Sequence, residues 1–462
     1  MTILHIGKYA DPDLVGSNRL LSEQVFGLHD RGYSVEVLTW PQGDGWTREM
    51  PVRESDRRSG QPYLGLSIGG VAYHVIDPPR AWGQRWITDQ DHRAAVTYAK
   101  ALLAELSPEA VHFHYWHCLW WFLDAAIELG IPTLYTAYDY GLACAQTTLV
   151  MGDRRLCDAT ATIEKCAACT KIHPSLKGKL NEFILDLPGG GTLIRRLTGP
   201  GGVGPLSRVK AMRLSVRDRV RQAIERSRRI LPQLNGVVVT TPFAARFFEQ
   251  FGVPAEQFEL LPWFYSQRSL NAGPAPFRSG DEIVLAYVGR LSFEKGVHLL
   301  LEALEGLETA QAVRLKLTGI PKSDYARDLQ ARYPEKAGSC RVEWAGWVDN
   351  RDLPDFYSEV HAAVFPSTWY DNCPTTLIEA LAHRKFILCS DVPTMADFVA
   401  PERNALLFKR GDASDLRRQL RRFVEEPETY LRPAREHDSG VRSREAYLDE
   451  LERIYRKRLI AG

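Results

Sequence analysis

Short runs of apolar, β-branched positions alternate along the first half of the chain with longer stretches in which apolar residues return every three or four positions. The short runs predict strands at Ile3–Gly7, Val35–Trp40, Ala72–Ile76, Ala110–His114, Pro132–Ala137 and Gly236–Thr241. Ahead of the fourth, Val96, Ala99, Leu102, Leu103 and Leu106 recur at helical spacing. Strands alternating with helices imply a mostly parallel sheet covered on both faces, which is a doubly wound α/β lobe. The stretch Asn271–Gly280, dense in Pro, Gly and small residues, reads as a linker. The pattern then restarts, with strands expected at Ile283–Gly289, Val313–Gly319, Arg341–Trp347, His361–Pro366, Lys385–Ser390 and Ala405–Phe408. That makes a second doubly wound lobe. Tyr447, Leu448, Leu451, Ile454 and Tyr455 then mark an amphipathic helix over Ser443–Leu459.

The expected division is therefore 1–270, 281–440 and a terminal segment 441–462 that returns to the first lobe. One insertion interrupts the first lobe, from about residue 144 to 229. It holds a cysteine cluster, glycine-rich loops at 187–191 and 199–202, and an arginine-rich helical stretch. Such a length exceeds a routine connection.

Composition changes this picture little. The 462 residues are 45% apolar and 25% charged, and the formal net charge of +1 gives no global reason to expect a nucleic-acid partner. No run approaches the ~20 apolar residues of a membrane span, and the first residues lack a basic leader, so a cytoplasmic location is expected.

Candidate chemistry gathers where strands end, which is where open α/β sheets bind ligands. The first strand of the second lobe runs into Gly289, Arg290, Glu294, Lys295 and Gly296, placing two cations before a helix. The next two strands end in Gly319 and in Gly346-Trp347-Val348. The strand at His361–Pro366 leads to Asp371, Asn372, Cys373, Pro374, Thr375, Thr376 and Glu379. Pro374 suits a first helical turn, leaving the amides of Thr375 and Thr376 free for phosphate. Arg290 and Lys295 suit a diphosphate, Glu379 a ribose, and Asp371 sugar hydroxyls.

This ordered set resembles the donor-binding half of glycosyltransferase family 4, retaining and metal-independent enzymes of the GT-B fold. The resemblance covers nearly the whole chain and is strongest from 281 to 410. The family's paired glutamates, eight positions apart, correspond to Asp371 and Glu379. It implies two facing Rossmann-like lobes with a cleft between them. It also implies transfer of a sugar from a UDP- or GDP-sugar to an acceptor hydroxyl, in bacterial polysaccharide or glycoconjugate biosynthesis. The expected donor site comprises Gly16, Arg290, Lys295, Gly319, Val348, Asp371, Asn372, Thr375, Thr376 and Glu379.

The first lobe supplies the opposite wall. His112, His114 and His117 close one strand, Thr136, Tyr138 and Asp139 close the next, and Gly16 and Arg19 precede or open a helix. Followed by four cysteines, this order is similar to a surface-polysaccharide subgroup of the family. That subgroup usually has Thr-x-His-Asp, whereas this chain has Tyr138, a hydrogen-bonding group that does not change charge near pH 7. His114, His117 and Arg19 are the expected acceptor-side residues. Arg290, Lys295, Asp371, Glu379, Tyr138 and Asp139 are the expected catalytic groups. Asp139 is the candidate should a base or nucleophile be used.

Cys144, Cys157, Cys166 and Cys169 end in a C-x-x-C pair whose spacing suits tetrahedral zinc. Four thiolates leave no open position, so the expected metal is structural and no catalytic metal is expected. Free thiols and a disulfide remain the alternatives. Cys118, Cys340, Cys373 and Cys389 are scattered and read as packed. The run Arg208–Arg229 fits either anionic lipid headgroups, serving a lipid-linked acceptor by peripheral membrane contact, or a solvated or acid-facing helix. Sugar and small-molecule acceptors stand beside the lipid-linked one. Two other functions fit the same architecture: a nucleotide-sugar epimerase or hydrolase, and a non-catalytic nucleotide-sugar-binding protein. Neither lobe opens with the Gly-x-Gly-x-x-Gly of a dinucleotide-dependent dehydrogenase.

Overall fold

A computed structural model of the chain describes residues 1–7, 17–40, 57–79, 82, 87, 89–114, 119–144, 146–151, 155–171, 216–265, 275–372 and 374–460. Gly16, His117, Cys118, Cys373, the two glycine-rich loops and the run 208–215 lie outside the described residues. The chain divides into two compact units, Met1–Leu261 with Glu445–Gly462, and Pro262–Arg444.

In the first unit the strands are β1 (Thr2–Ile6), β2 (Ser34–Thr39), β3 (Arg57–Arg58), β4 (Gln61–Ile68), β5 (Val71–Ile76), β6 (Ala110–Phe113), β7 (Thr133–Thr136), β8 (Gly236–Val239) and β9 (Phe258–Leu260). They are ordered β3-β4-β5-β2-β1-β6-β7-β8-β9. Every pair is parallel except β3–β4 and β4–β5. The six strands from β5 to β8 repeat the Rossmann order, so connections reverse between β1 and β6. β6, β7 and β8 are buried at every position, as a sheet covered on both faces requires. The β4–β5 hairpin turns at Gly69 and Gly70, both at positive φ (54° and 85°), a conformation that glycine adopts without strain.

The second unit holds β10 (Ile283–Tyr287), β11 (Val313–Thr318), β12 (Lys336–Ala337), β13 (Cys340–Gly346), β14 (Ala362–Phe365), β15 (Phe386–Ser390) and β16 (Ala405–Phe408). Their order is β12-β13-β11-β10-β14-β15-β16, again Rossmann-like from β13 to β16, with the reversal between β10 and β14. β10 shows why: Ile283, Leu285 and Tyr287 enter one apolar core while Val284, Ala286 and Val288 enter the other.

The boundary at Leu261 precedes the Pro/Gly-rich stretch to which composition points. β9 closes the first sheet at Leu260. Immediately afterwards, within the second unit, Phe264 bridges Arg442 and the Tyr265 amide donates to the Arg442 carbonyl at 3.3 Å. The helix Arg444–Tyr455 and its π-helical continuation Arg456–Ile460 belong with the first unit. Tyr447, Leu448, Leu451, Ile454 and Tyr455 are buried there. Arg31 reaches Asp449 (2.7 Å) and Glu452 (2.8 Å), and Lys457 and Arg458 each sit 2.6 Å from Glu259. No helix among the described residues is long and apolar enough to cross a membrane.

Candidate active site

At the carboxyl end of β10 the buried Tyr287 hydroxyl donates to the Arg290 carbonyl (2.7 Å) and fixes the turn. The Ser292 hydroxyl donates to Glu294 (2.7 Å), and one 3-10 turn, Phe293–Lys295, precedes the helix Val297–Glu305. Gly296 between them is left-handed (φ 72°), and a Cβ there would stand 1.9 Å from the Pro366 carbonyl oxygen. Glycine thus allows the loop after β10 to lie against the loop after β14. The Thr368 amide locks the two loops by donating to the Glu294 carbonyl at 2.8 Å.

This contact brings Lys295 to Asp371. The ammonium and carboxylate form an ion pair, both side chains are mostly buried, and the ammonium lies 5.4 Å from the centre of the Trp369 ring. Arg290 is different: it is 71% exposed and 3.9 Å from Glu294, so it stands in solvent beside the paired lysine. Gly319, at φ 127°, is crowded by the Gly289 carbonyl, which a Cβ would approach to 2.6 Å, and its amide donates to the Gly346 carbonyl at 2.7 Å. Val348, one residue past the exposed Trp347, is half-buried against the second unit's core.

The helix Thr375–Ala382 starts one residue later than Pro374 at a first helical position requires. Pro374 is the N-cap (φ −75°, ψ 92°), because its carbonyl already accepts from Leu377 (3.0 Å) and Ile378 (3.1 Å). The amides of Thr375 and Thr376 therefore come before the first hydrogen-bonded amide and carry the positive end of the helix. Asn372 and Asp371 are buried just ahead of it. Glu379 is half-buried one turn along. Its charge, after burial itself, holds the Tyr357 phenol well above its usual range, which places the carboxylate near that ring.

In the first unit, β1 and β6 pair His5 with His112, and His114 follows on the same face. Alternation thus sends His112 and His114 together, with ring centres 3.8 Å apart. All three are buried, and each brings one ring nitrogen within 4.8 Å of the others. His5 Nδ1 meets His114 Nε2 at 2.8 Å, and His114 Nδ1 meets the Tyr138 hydroxyl at 3.1 Å. His112 bonds the Tyr455 hydroxyl and the Thr136 hydroxyl, each at 2.7 Å. The Gln24 amide donates to Tyr138 (3.2 Å) and Tyr447 (2.8 Å). His114 therefore stands behind Tyr138 rather than on the surface, and His5, Gln24, Tyr447 and Tyr455 are members that sequence reading missed. Asp139 is half-buried and accepts from the Gly141 amide at 2.7 Å, while Arg19 is half-buried in the first turn of the helix Ser17–Asp30.

Burial pushes His5 down to about 3, and burial and then the neighbouring imidazoles hold His112 and His114 well below the usual histidine range. All three are thus neutral in the folded state. The unfolded chain takes up protons below about pH 6.5, so stability present above that pH is lost as pH falls toward the depressed values. For His5 the expected loss is about 1.4 kcal/mol per pH unit between about pH 6 and 4, and His112 and His114 act in the same direction. Urea unfolding at pH 7 and pH 5, followed in His5→Phe beside the parent, checks this; an equal pH response in both would remove the account.

The arginine-rich stretch forms the helix Val216–Ile230. Arg229 reaches Asp124 (2.5 Å), Arg226 lies 3.6 Å over the Trp120 ring, and Arg217 reaches Glu164 (2.8 Å). Within the described residues, three arginines of this helix thus face two carboxylates and one indole.

Two family models match the chain: that for glycosyl transferases group 1 over residues 274–437, and that for the glycosyl transferase 4-like domain over residues 15–164. The fold is GT-B, and a stretch of each unit, about a third of the chain in each case, matches a glycosyltransferase domain. The putative teichuronic acid biosynthesis glycosyltransferase TuaC of Bacillus subtilis is 30% identical over 146 residues, 32% of this chain and 34% of that protein. The lipopolysaccharide 1,2-N-acetylglucosaminetransferase of Salmonella typhimurium is 25% identical over 177 residues, 35% of this chain and 46% of that protein. The matched part thus spans between a third and a half of these relatives. Among solved structures, sucrose-phosphate synthase from Thermosynechococcus elongatus superposes with a TM-score of 0.63 at 18% identity, covering 100% of both chains. Anabaena HepE in complex with UDP gives 0.57 at 13% identity, covering 98% of this GT-B chain and 99% of its own.

Proposed function

We propose that this chain is a retaining glycosyltransferase that moves a sugar from a nucleotide-sugar donor to an acceptor hydroxyl in polysaccharide or glycoconjugate biosynthesis. The observation that carries the reading is the Lys295–Asp371 pair, held where the Rossmann order of the second sheet reverses and just ahead of the amides of Thr375 and Thr376, which open the helix before its first hydrogen-bonded amide. A diphosphate there meets an ammonium already oriented by a carboxylate, a helix N-terminus, and Arg290 free to swing in from solvent.

Departure of the nucleoside diphosphate builds negative charge on its β-phosphate. Fixed positive groups stabilise that charge more than they stabilise the bound donor, which is the form of preorganised electrostatic catalysis. The acceptor attacks on the face the diphosphate leaves, and the departing phosphate takes the acceptor proton. Asp371 orients Lys295 and accepts from sugar hydroxyls; Glu379 accepts from the ribose. In the first unit the Tyr138 hydroxyl bonds His114 (3.1 Å) and the Gln24 amide (3.2 Å), and Asp139 follows it in the chain.

A thermal-shift screen against UDP- and GDP-sugars tests the reading. A cognate donor at about 100 times its Kd is expected to raise the midpoint by about 5–10 °C. Glu379→Ala should erase most of the shift. A shift that survives unchanged in Glu379→Ala and Lys295→Ala together would place the donor elsewhere. Release of free sugar or an epimer without any acceptor would instead favour the hydrolase or epimerase alternative.

A further inference from the structure

The proposed transfer uses no thiol, yet four cysteines gather at one place in the first unit. Cys144 ends the loop that follows β7, Cys157 follows the bridge between Val150 and Leu156, and Cys166 and Cys169 lie in the helix Ile163–Lys171. Three positions apart on a helix, the last two present their sulfurs on one face. All four line a single cavity of about 20 Å³ with Lys165 and the Phe247 ring, and none is in a disulfide. That volume suits one small ion and no substrate.

The backbone holds the three stretches in place around it. The Cys144 amide donates to Tyr140 (2.6 Å), that of Cys157 to Leu149 (2.8 Å) and that of Cys166 to Thr162 (3.0 Å).

We propose that Cys144, Cys157, Cys166 and Cys169 hold one zinc ion as a structural knot that clamps the loop bearing Tyr138 and Asp139 to the helix Ile163–Lys171. Four thiols lose four protons, four Zn–S bonds form, and the tetrahedral shell is closed, so the ion takes no part in the reaction. The site then carries a net charge of about −2, beside the Lys165 ammonium, which is itself paired with Asp158. The inference does not rest on the transferase reading.

The three-histidine cluster is the rival place for a metal, although His112 and His114 already use both ring nitrogens in hydrogen bonds. The full chain, expressed with added zinc and purified without chelator, is expected to contain about one zinc by mass spectrometry of the metal. Cys166→Ser/Cys169→Ser should retain less than about a tenth of it and melt about 5–10 °C lower. Should that variant fail to fold, titrating the folded parent with an organomercurial and a colorimetric zinc indicator gives the same reading, because metal released in step with thiol modification comes from cysteine. A metal-free chain, a Cys166–Cys169 disulfide in the peptide map, or zinc retained in the double variant overturns the proposal.

Discussion

Replacing Lys295 by Ala is expected to lower kcat/KM about 1,000-fold, equivalent to about 4 kcal/mol of transition-state stabilisation. The lysine is the cation that the fold has already placed, anchored by Asp371 and partly enclosed over Trp369, so it requires no reorganisation when the diphosphate departs. Its removal also leaves the Asp371 carboxylate, itself mostly buried, facing the leaving group without its counter-charge. Arg290 starts from solvent and must order a long side chain, so Arg290→Ala should cost distinctly less, about 10- to 100-fold. Lys295→Arg should not rescue, because a planar guanidinium does not fit the space of a compact ammonium held between two loops. Steady-state kinetics with the cognate donor decide the matter. A Lys295→Ala enzyme within threefold of the parent would remove the lysine from the chemistry.

Gly296→Ala is expected to destabilise the second unit by about 3–4 kcal/mol and to abolish donor binding even where the chain still folds. Two penalties coincide there. Left-handed backbone costs a non-glycine residue about 1–2 kcal/mol, and the added methyl would stand 1.9 Å from a backbone carbonyl that has no rotamer to yield. Relief requires the loop after β14 to move away, which separates Lys295 from Asp371. Gly280→Ala is the control: its φ is also positive (92°), but nothing lies within 4 Å of the added carbon, so only the conformational part of about 1 kcal/mol should appear. Urea midpoints for the two variants measure the difference. Equal midpoints would show that the close approach to Pro366 carries no energy.

Much of this architecture was legible because the buried parallel strands are short apolar runs bounded by turn residues. β1, β2, β5 to β8 and the six main strands of the second sheet fall within a residue or two of the positions the pattern predicts. The strands that escaped it are those lacking that signature. β4 carries Pro62 and Gly65 and lies toward an edge, β9 is three residues long, and β3 and β12 are two each. Edge strands need neither a continuous apolar run nor both faces covered. The Gly69–Gly70 pair was the available signal for the hairpin. In the candidate site, Arg290, Lys295, Asp371 and Glu379 were singled out from order and spacing alone. Their internal pairing was not, because it depends on two loops 76 positions apart meeting through Gly296. The polar network behind Tyr138 was hidden for the same reason. His5 looks like one residue of an apolar strand, and Gln24, Tyr447 and Tyr455 look like one helix face each, until the sheet brings them together.

The return of the last helix to the first unit has a consequence for how the molecule is made. Tyr447 and Tyr455 complete the hydrogen bonding of Gln24 and His112, but both leave the ribosome only after the whole of Pro262–Arg444 has been synthesised. At about 5–20 residues per second the nascent first unit waits roughly 10–40 s with its polar interior uncapped and the anchoring face for that helix open to water. The second unit has all its strands in one continuous stretch and is complete before the first. The half of the protein translated earliest is therefore the last to mature, and it is the half in which chaperone dependence and sensitivity to premature termination should concentrate.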